Sequence, residues 1–199
     1  MPYRKVFITH VMEVEPLQLR AEIVKMCGKL IKGDFANGTF FGYLPDGKMV
    51  SVGAIVNRGK MLAGRLPHDE VRRAHYIVWN DGKVTVEMLK DIDKERDISK
   101  ISFAIAGFNM FPLNLEAEWY NPAEVGREAW RTCLGYSPKT NKALITVRAF
   151  STAERGRQTL INLGCDRGIG LDSGGSVNAR MDGRLIVATS RVIHNIIRW

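Results

Sequence analysis

Cysteine and histidine are scarce in this chain, and neither type is grouped. Cys27, Cys133 and Cys165 are odd in number and lack metal-ligand spacing, which argues against a disulfide framework or structural zinc site and predicts reduced thiols. His10, His68, His75 and His194 show no metal-type spacing either, so no metal site is expected. No apolar run approaches the length of a membrane-spanning helix. Residues 1–8 have no long apolar core and no small-residue cleavage site, so the expectation is a cytoplasmic protein without a secretory signal. There is no low-complexity segment, no repeat at a fixed period and no linker, which predicts one domain over residues 1–199.

Cations outnumber anions, and the formal net charge is +8. Such a surface attracts anions: nucleic acid, acidic membrane or phosphorylated small molecules. The surplus is diffuse, with no Lys/Arg-rich run and no basic helix interleaved with aromatics. It therefore reads as a soluble basic surface rather than a nucleic-acid stripe, and neither nucleic acid nor membrane is expected as partner. Hydrophobic residues make up 45% of the chain, enough for a sizeable core.

The apolar pattern predicts a first strand over residues 4–12. Pro16 then stands where a first helical turn tolerates proline. Leu19, Ile23, Met26, Cys27, Leu30 and Ile31 share one helical face, predicting a helix that Gly33 stops. Strands of a meander follow at residues 34–43 and 49–56, with a short helix or loop over residues 66–73. A hairpin turns about residues 80–83, and a strand covers residues 101–106. Residues 107–127 are irregular, with prolines and aromatics suited to an ordered cover over a site. Their Glu116, Glu118 and Glu124 read as solvated charges. Residues 130–136 and 143–147 pair as strands, and Ser151 with Glu154 reads as a capping box for a helix ending at Gly164. A strand at residues 165–171, a hairpin of residues 177–181 and 185–187 turning at Asp182-Gly183, and a strand at residues 191–199 close the chain. The predicted class is α+β: a single domain with a mixed or antiparallel sheet meander and two main helices.

The chemistry concentrates at Leu171-Asp172-Ser173-Gly174-Gly175-Ser176. An apolar strand delivers a carboxylate, two glycines and two hydroxyls to one point. Paired glycines leave backbone N–H groups unshielded, and successive N–H groups in a turn form an anion site. A carboxylate beside that site can act as acid or base. The bland reading is a tight turn that Asp172 braces through local backbone bonds.

Three motifs in order resemble the phosphodiester glycosidase family. Asn37-Gly38-Thr39-Phe40-Phe41 matches an early Asn-Gly-Gly-Phe-Phe segment, and Arg131-Thr132-Cys133-Leu134-Gly135 a later strand. Residues 171–176 match a Leu-Asp-Gly-Gly-Gly-Ser segment, followed by a Gly183-Arg184 turn and a closing strand with Arg191 and Asn195. Thr39 and Ser173 stand where the family has glycine. The family's best-known activity removes a covering N-acetylglucosamine from mannose 6-phosphate. Like it, this chain is expected to hydrolyse a glycosyl phosphodiester such as a nucleotide sugar or an ADP-ribose-like molecule, without cofactor.

Carried onto this chain, the resemblance assigns catalysis to Asp172, as acid or base, and to Asn37, orienting a sugar hydroxyl or the attacking water. Arg131, Thr132, Ser173, Gly174, Gly175, Ser176 and Arg191 would bind substrate, with Arg131 forking phosphate oxygens. His194 reads as structural rather than catalytic. The competing expectation is a binding module that holds a phosphorylated sugar or nucleotide without turnover.

Overall fold

The structure is a computed structural model that describes residues 3–64, 66 and 70–199. His68 and part of the short helix or loop expected over residues 66–73, residues 67–69, lie outside the described residues.

Two antiparallel sheets dominate. A ten-stranded sheet is built around Thr9–Val14, Lys142–Ser151, Ala129–Ser137, Arg167–Ser173 and Ile101–Asn109, paired in that order. The other sheet has five strands, in the order Arg184–Val187, Ala179–Met181, Phe35–Asn37, Val192–Arg198, Arg20–Cys27. Alternation in the strands explains how the large sheet buries both faces. Met12, Leu134 and Ile145 enter the core shared with the five-stranded sheet. Their neighbours Val11, Cys133 and Leu144 point the other way, onto Leu160 of the helix Ala153–Asn162.

The protein is therefore more sheet-rich than the expected class of two main helices on a meander. Arg20–Cys27 is a strand, not a helix, and runs antiparallel to Val192–Arg198. The helical period is real in the sequence, yet Met26 and Leu30 are exposed. A partner strand from the far end of the chain supplies the backbone hydrogen bonds and overrides the local pattern. The later helix exists, but Thr152 caps it, accepting from Arg155 N at 3.2 Å. Ser151 still belongs to the preceding strand, which runs further than its apolar pattern suggests.

One close approach fixes how the strand bearing Asp172 sits. Gly170 pairs with Phe108, and a Cβ at Gly170 would lie 2.0 Å from the ring's Cζ. Phe108 is wholly buried and cannot swing away. Gly170→Ala is expected to cost about 1–3 kcal/mol through overpacking. Denaturant unfolding checks this, and an unchanged midpoint would contradict it.

Candidate functional site

Asp172 stands near the end of Arg167–Ser173, where the two sheets meet. Its N–H donates to Gly38 O at 3.1 Å, tying the large sheet to the segment that leaves Phe35–Asn37. The next residues turn sharply: Gly174 has φ of +64°, a conformation that suits glycine. A Cβ at Gly174 or Gly175 would meet nothing within 4 Å, so this backbone faces open space.

The turn borders a cleft of about 240 Å³ lined by Asp172, Ser173, Gly174, Phe40, Glu124, Val125, Arg127, Ala129 and Arg191. Burial pushes the Asp172 carboxyl up to about 6. The neighbouring Ser176 hydroxyl, the Ser173 N–H and the Arg191 charge oppose that shift without cancelling it. The Ser173 N–H donates to the carboxylate at 2.8 Å. Ser176 Oγ is close enough to influence the carboxyl, yet it makes no hydrogen bond of normal geometry among the described residues. Arg191 lies over the Phe41 ring, 5.2 Å from its centroid. Neither Arg191 nor Arg127 forms an ion pair among the described residues.

The other expected site residues stand behind this wall rather than in it. Asn37 is buried: its Nδ2 donates to Asp172 O at 2.7 Å, and its Oδ1 accepts from Thr132 Oγ1 at 2.6 Å. Both side chains hold the Asp172 strand in place and present no free polar atom to the cleft. Arg131 is 1% exposed. Its Nε donates to Ser151 O at 2.8 Å, one terminal nitrogen to Ser173 Oγ at 3.0 Å, and the other to Val125 O and Arg127 O. Most of its guanidinium fork is spent on the protein, tying the cleft wall together. Desolvation lowers its pKa, with no carboxylate bonded to it in compensation. Ser173 Oγ, held by Arg131 and donating to Leu171 O at 3.1 Å, has no free role as a nucleophile.

The sequence marks Glu124 only as a solvated charge and Arg127 not at all; the irregular segment carries both to the cleft, from the short helix Pro122–Val125 and just beyond. No motif marks them, because the loop's path is set by tertiary contacts. Glu118 of the same segment is buried, not solvated. It accepts from Asn109 N at 2.7 Å and Ala74 N at 3.0 Å and pins the segment to the sheet. Burial raises its pKa against those bonds and the nearby Arg73 charge. Cys133 and Cys165 are buried thiols, with pKa pushed up to about 11 and about 12 respectively. Among the described residues, no group of three or more His, Cys, Asp or Glu is placed to hold a metal. No helix there is long and apolar enough to cross a membrane.

The architecture has a counterpart of known chemistry. A zebrafish N-acetylglucosamine-1-phosphodiester alpha-N-acetylglucosaminidase catalytic domain, auto-inhibited by its pro-peptide, superposes with a TM-score of 0.73. The match covers 95% of this chain and 75% of that one, at 16% identity. The chain has a phosphodiester-glycosidase-like fold. A Burkholderia pseudomallei protein described as exported matches with a TM-score of 0.62 at 11% identity, over 95% of this chain and 73% of its own. A hypothetical protein from Synechocystis gives 0.57 at 11% identity; this chain is covered to 98% and spans 60% of that one. No family model matches the sequence, and none of the curated proteins does. At these identities the likeness is one of fold.

Proposed function

We propose that the protein is a hydrolase of glycosyl phosphodiesters, acting on a sugar-1-phosphate ester linkage in the Asp172 cleft. The observation that carries this reading is a carboxyl of raised pKa sharing a cleft with two cations that lack ion-pair partners among the described residues. Arg191 and Arg127 take the phosphodiester charge, and the Gly174–Gly175 backbone approaches the same anion. This moves the phosphate-binding role from Arg131 to Arg127. Asp172 serves the anomeric centre, stabilising developing positive charge or accepting a proton from water. Glu124 supplies the second carboxylate that glycoside hydrolysis ordinarily uses. Asn37 and Thr132 act through Asp172, as positioning residues. A nucleotide sugar or an ADP-ribose-like molecule suits the site's chemistry.

A phosphate leaving group needs little protonation, so Asp172 works in its ionised form. The rate constant kcat/KM is then expected to rise with pH through about 6 and level off above it. A pH–rate profile on any sugar phosphodiester that is turned over tests this. A profile that falls through the same region would assign Asp172 the role of acid. A profile flat between pH 5 and about 7 would remove Asp172 from the chemistry.

The second reading is a binding module for a phosphorylated sugar or nucleotide. The full internal engagement of Asn37, Thr132 and Ser173 favours it, since these polar groups offer no reacting atom. Ligand that emerges unchanged from native gel filtration supports that reading over turnover.

A further inference from the structure

A second cavity, larger than the Asp172 cleft, opens between the hairpin Phe41–Tyr43/Met49–Ser51 and the edge of the five-stranded sheet. It measures about 340 Å³, and its walls share no residue with the cleft. That volume is in the range of small-molecule sites, about 300–1,000 Å³. Ile23, Leu44, Met49, Val50 and Leu62 make its apolar part, while Lys25, Lys48 and His194 bring its polar groups. Among the described residues, no lining side chain is acidic and neither lysine forms an ion pair.

The backbone is bent to bring Lys25 there. Ile193 pairs with Met26 and Asn195 with Ile23, so Val24 and Lys25 together oppose the single residue His194. This is a β-bulge, and bulges re-aim side chains. Lys25 takes φ of +46° at the bulge. A non-glycine residue held in the left-handed region inside a strand is a local strain that clusters at functional sites.

The state of His194 follows from its neighbour. Asn195 is oriented by Thr39, whose N–H donates to Oδ1 at 2.8 Å and whose carbonyl accepts from Nδ2 at 3.2 Å. The same Nδ2 lies 3.1 Å from His194 Nδ1, so that ring nitrogen accepts. The imidazole is neutral with its proton on Nε2, a donor without a protein partner among the described residues. Burial, aided by the Lys25 charge, keeps its pKa down at about 4. Two ammonium groups and one imidazole N–H, set beside an apolar wall, form a receptor for an anionic head with an apolar body.

We propose that this cavity is a second ligand site, taking a phosphate monoester with an apolar body, with Lys25, Lys48 and His194 on the phosphate. The site is independent of the Asp172 cleft and of its proposed reaction. Lysine suits it as a point charge for phosphate.

The probes are hexyl phosphate, inorganic phosphate and hexanol, titrated by calorimetry into the whole chain. Hexyl phosphate is expected to bind more tightly than either fragment. The decisive variants are Lys25→Gly and Lys48→Met, alone and combined. Glycine suits the left-handed backbone at position 25, so Lys25→Gly is expected to melt at or above the wild-type temperature. A loss of binding in this variant is therefore not a loss of fold. The double variant is expected to bind hexyl phosphate at least about tenfold more weakly, while Asp172→Asn binds it normally. Undetectable binding by the wild type, equal binding by the double variant, or loss of binding in Asp172→Asn would each overturn the proposal.

Discussion

Asp172→Asn is expected to lower turnover of a sugar phosphodiester by at least about 10²–10⁴-fold while raising the melting temperature near neutral pH. The two effects share one cause. Burial lifts the Asp172 pKa to about 6, so its ionised form is the disfavoured one in the folded protein. The unfolded carboxyl titrates near the ordinary aspartate value, about 4. The stability that Asp172 contributes is full below that value and is lost as the pH rises through about 6. Above that, the ionised group is a net cost to the fold, and a neutral amide removes it. Asparagine can still accept the Ser173 N–H bond and keeps the shape. It cannot take a proton or stabilise a developing cation. Ligand affinity should survive, since Arg191 and Arg127 remain and an anion no longer faces an anion. A residue that only braced the turn would give the opposite pattern, with a lower melting temperature and activity falling in proportion to unfolding. Melting temperature, ligand affinity and single-turnover rate, measured side by side, separate the two.

Arg131→Met should act on stability first. The guanidinium serves the carbonyls of Ser151, Val125 and Arg127 from a position that is 1% exposed. Methionine fills much of the space and leaves those acceptors without a donor. The buried Ser151 carbonyl costs about 1–3 kcal/mol when unsatisfied and the part-buried Val125 and Arg127 carbonyls less, offset in part by relief from burying an unpaired charge. A net loss of about 3 kcal/mol is expected, or a melting temperature lower by roughly 10 °C for a chain of this size. Arg131→Lys should rescue little, because one ammonium cannot reproduce the planar fork. Had Arg131 been the phosphate ligand, its loss would weaken binding at an unchanged melting temperature. Thermal melts alongside ligand titration decide between these roles.

Local chemistry made the Asp172 turn legible in the sequence. A strand ending in an aspartate and two glycines needs no tertiary information to be read. The hairpin around residues 80–83 and the helix stop at Gly164 were legible for the same reason, and both glycines, Gly82 and Gly164, adopt positive φ. Arg20–Cys27 was not legible, because its partner strand lies at the other end of the chain. Arg131 was visible as an important arginine, but its direction was not. Whether a guanidinium faces a cleft or three carbonyls depends on where residues 125–127 pass, and no spacing encodes that. Arg127 and Glu124 were hidden by the same uncertainty. The bulge at Lys25 depends on a register shift that exists only between paired strands.

Hydrolysis of a sugar phosphodiester linkage in the Asp172 cleft is open to direct test. The direct measurement is incubation of wild type and Asp172→Asn with a panel of sugar 1-phosphodiesters and nucleotide sugars, read by mass spectrometry. The wild type is expected to release free sugar and phosphate ester from at least one member. The folded Asp172→Asn protein should leave that member intact. Release of the same products at near-normal rates by Asp172→Asn, or an unchanged panel with the wild type, would contradict it.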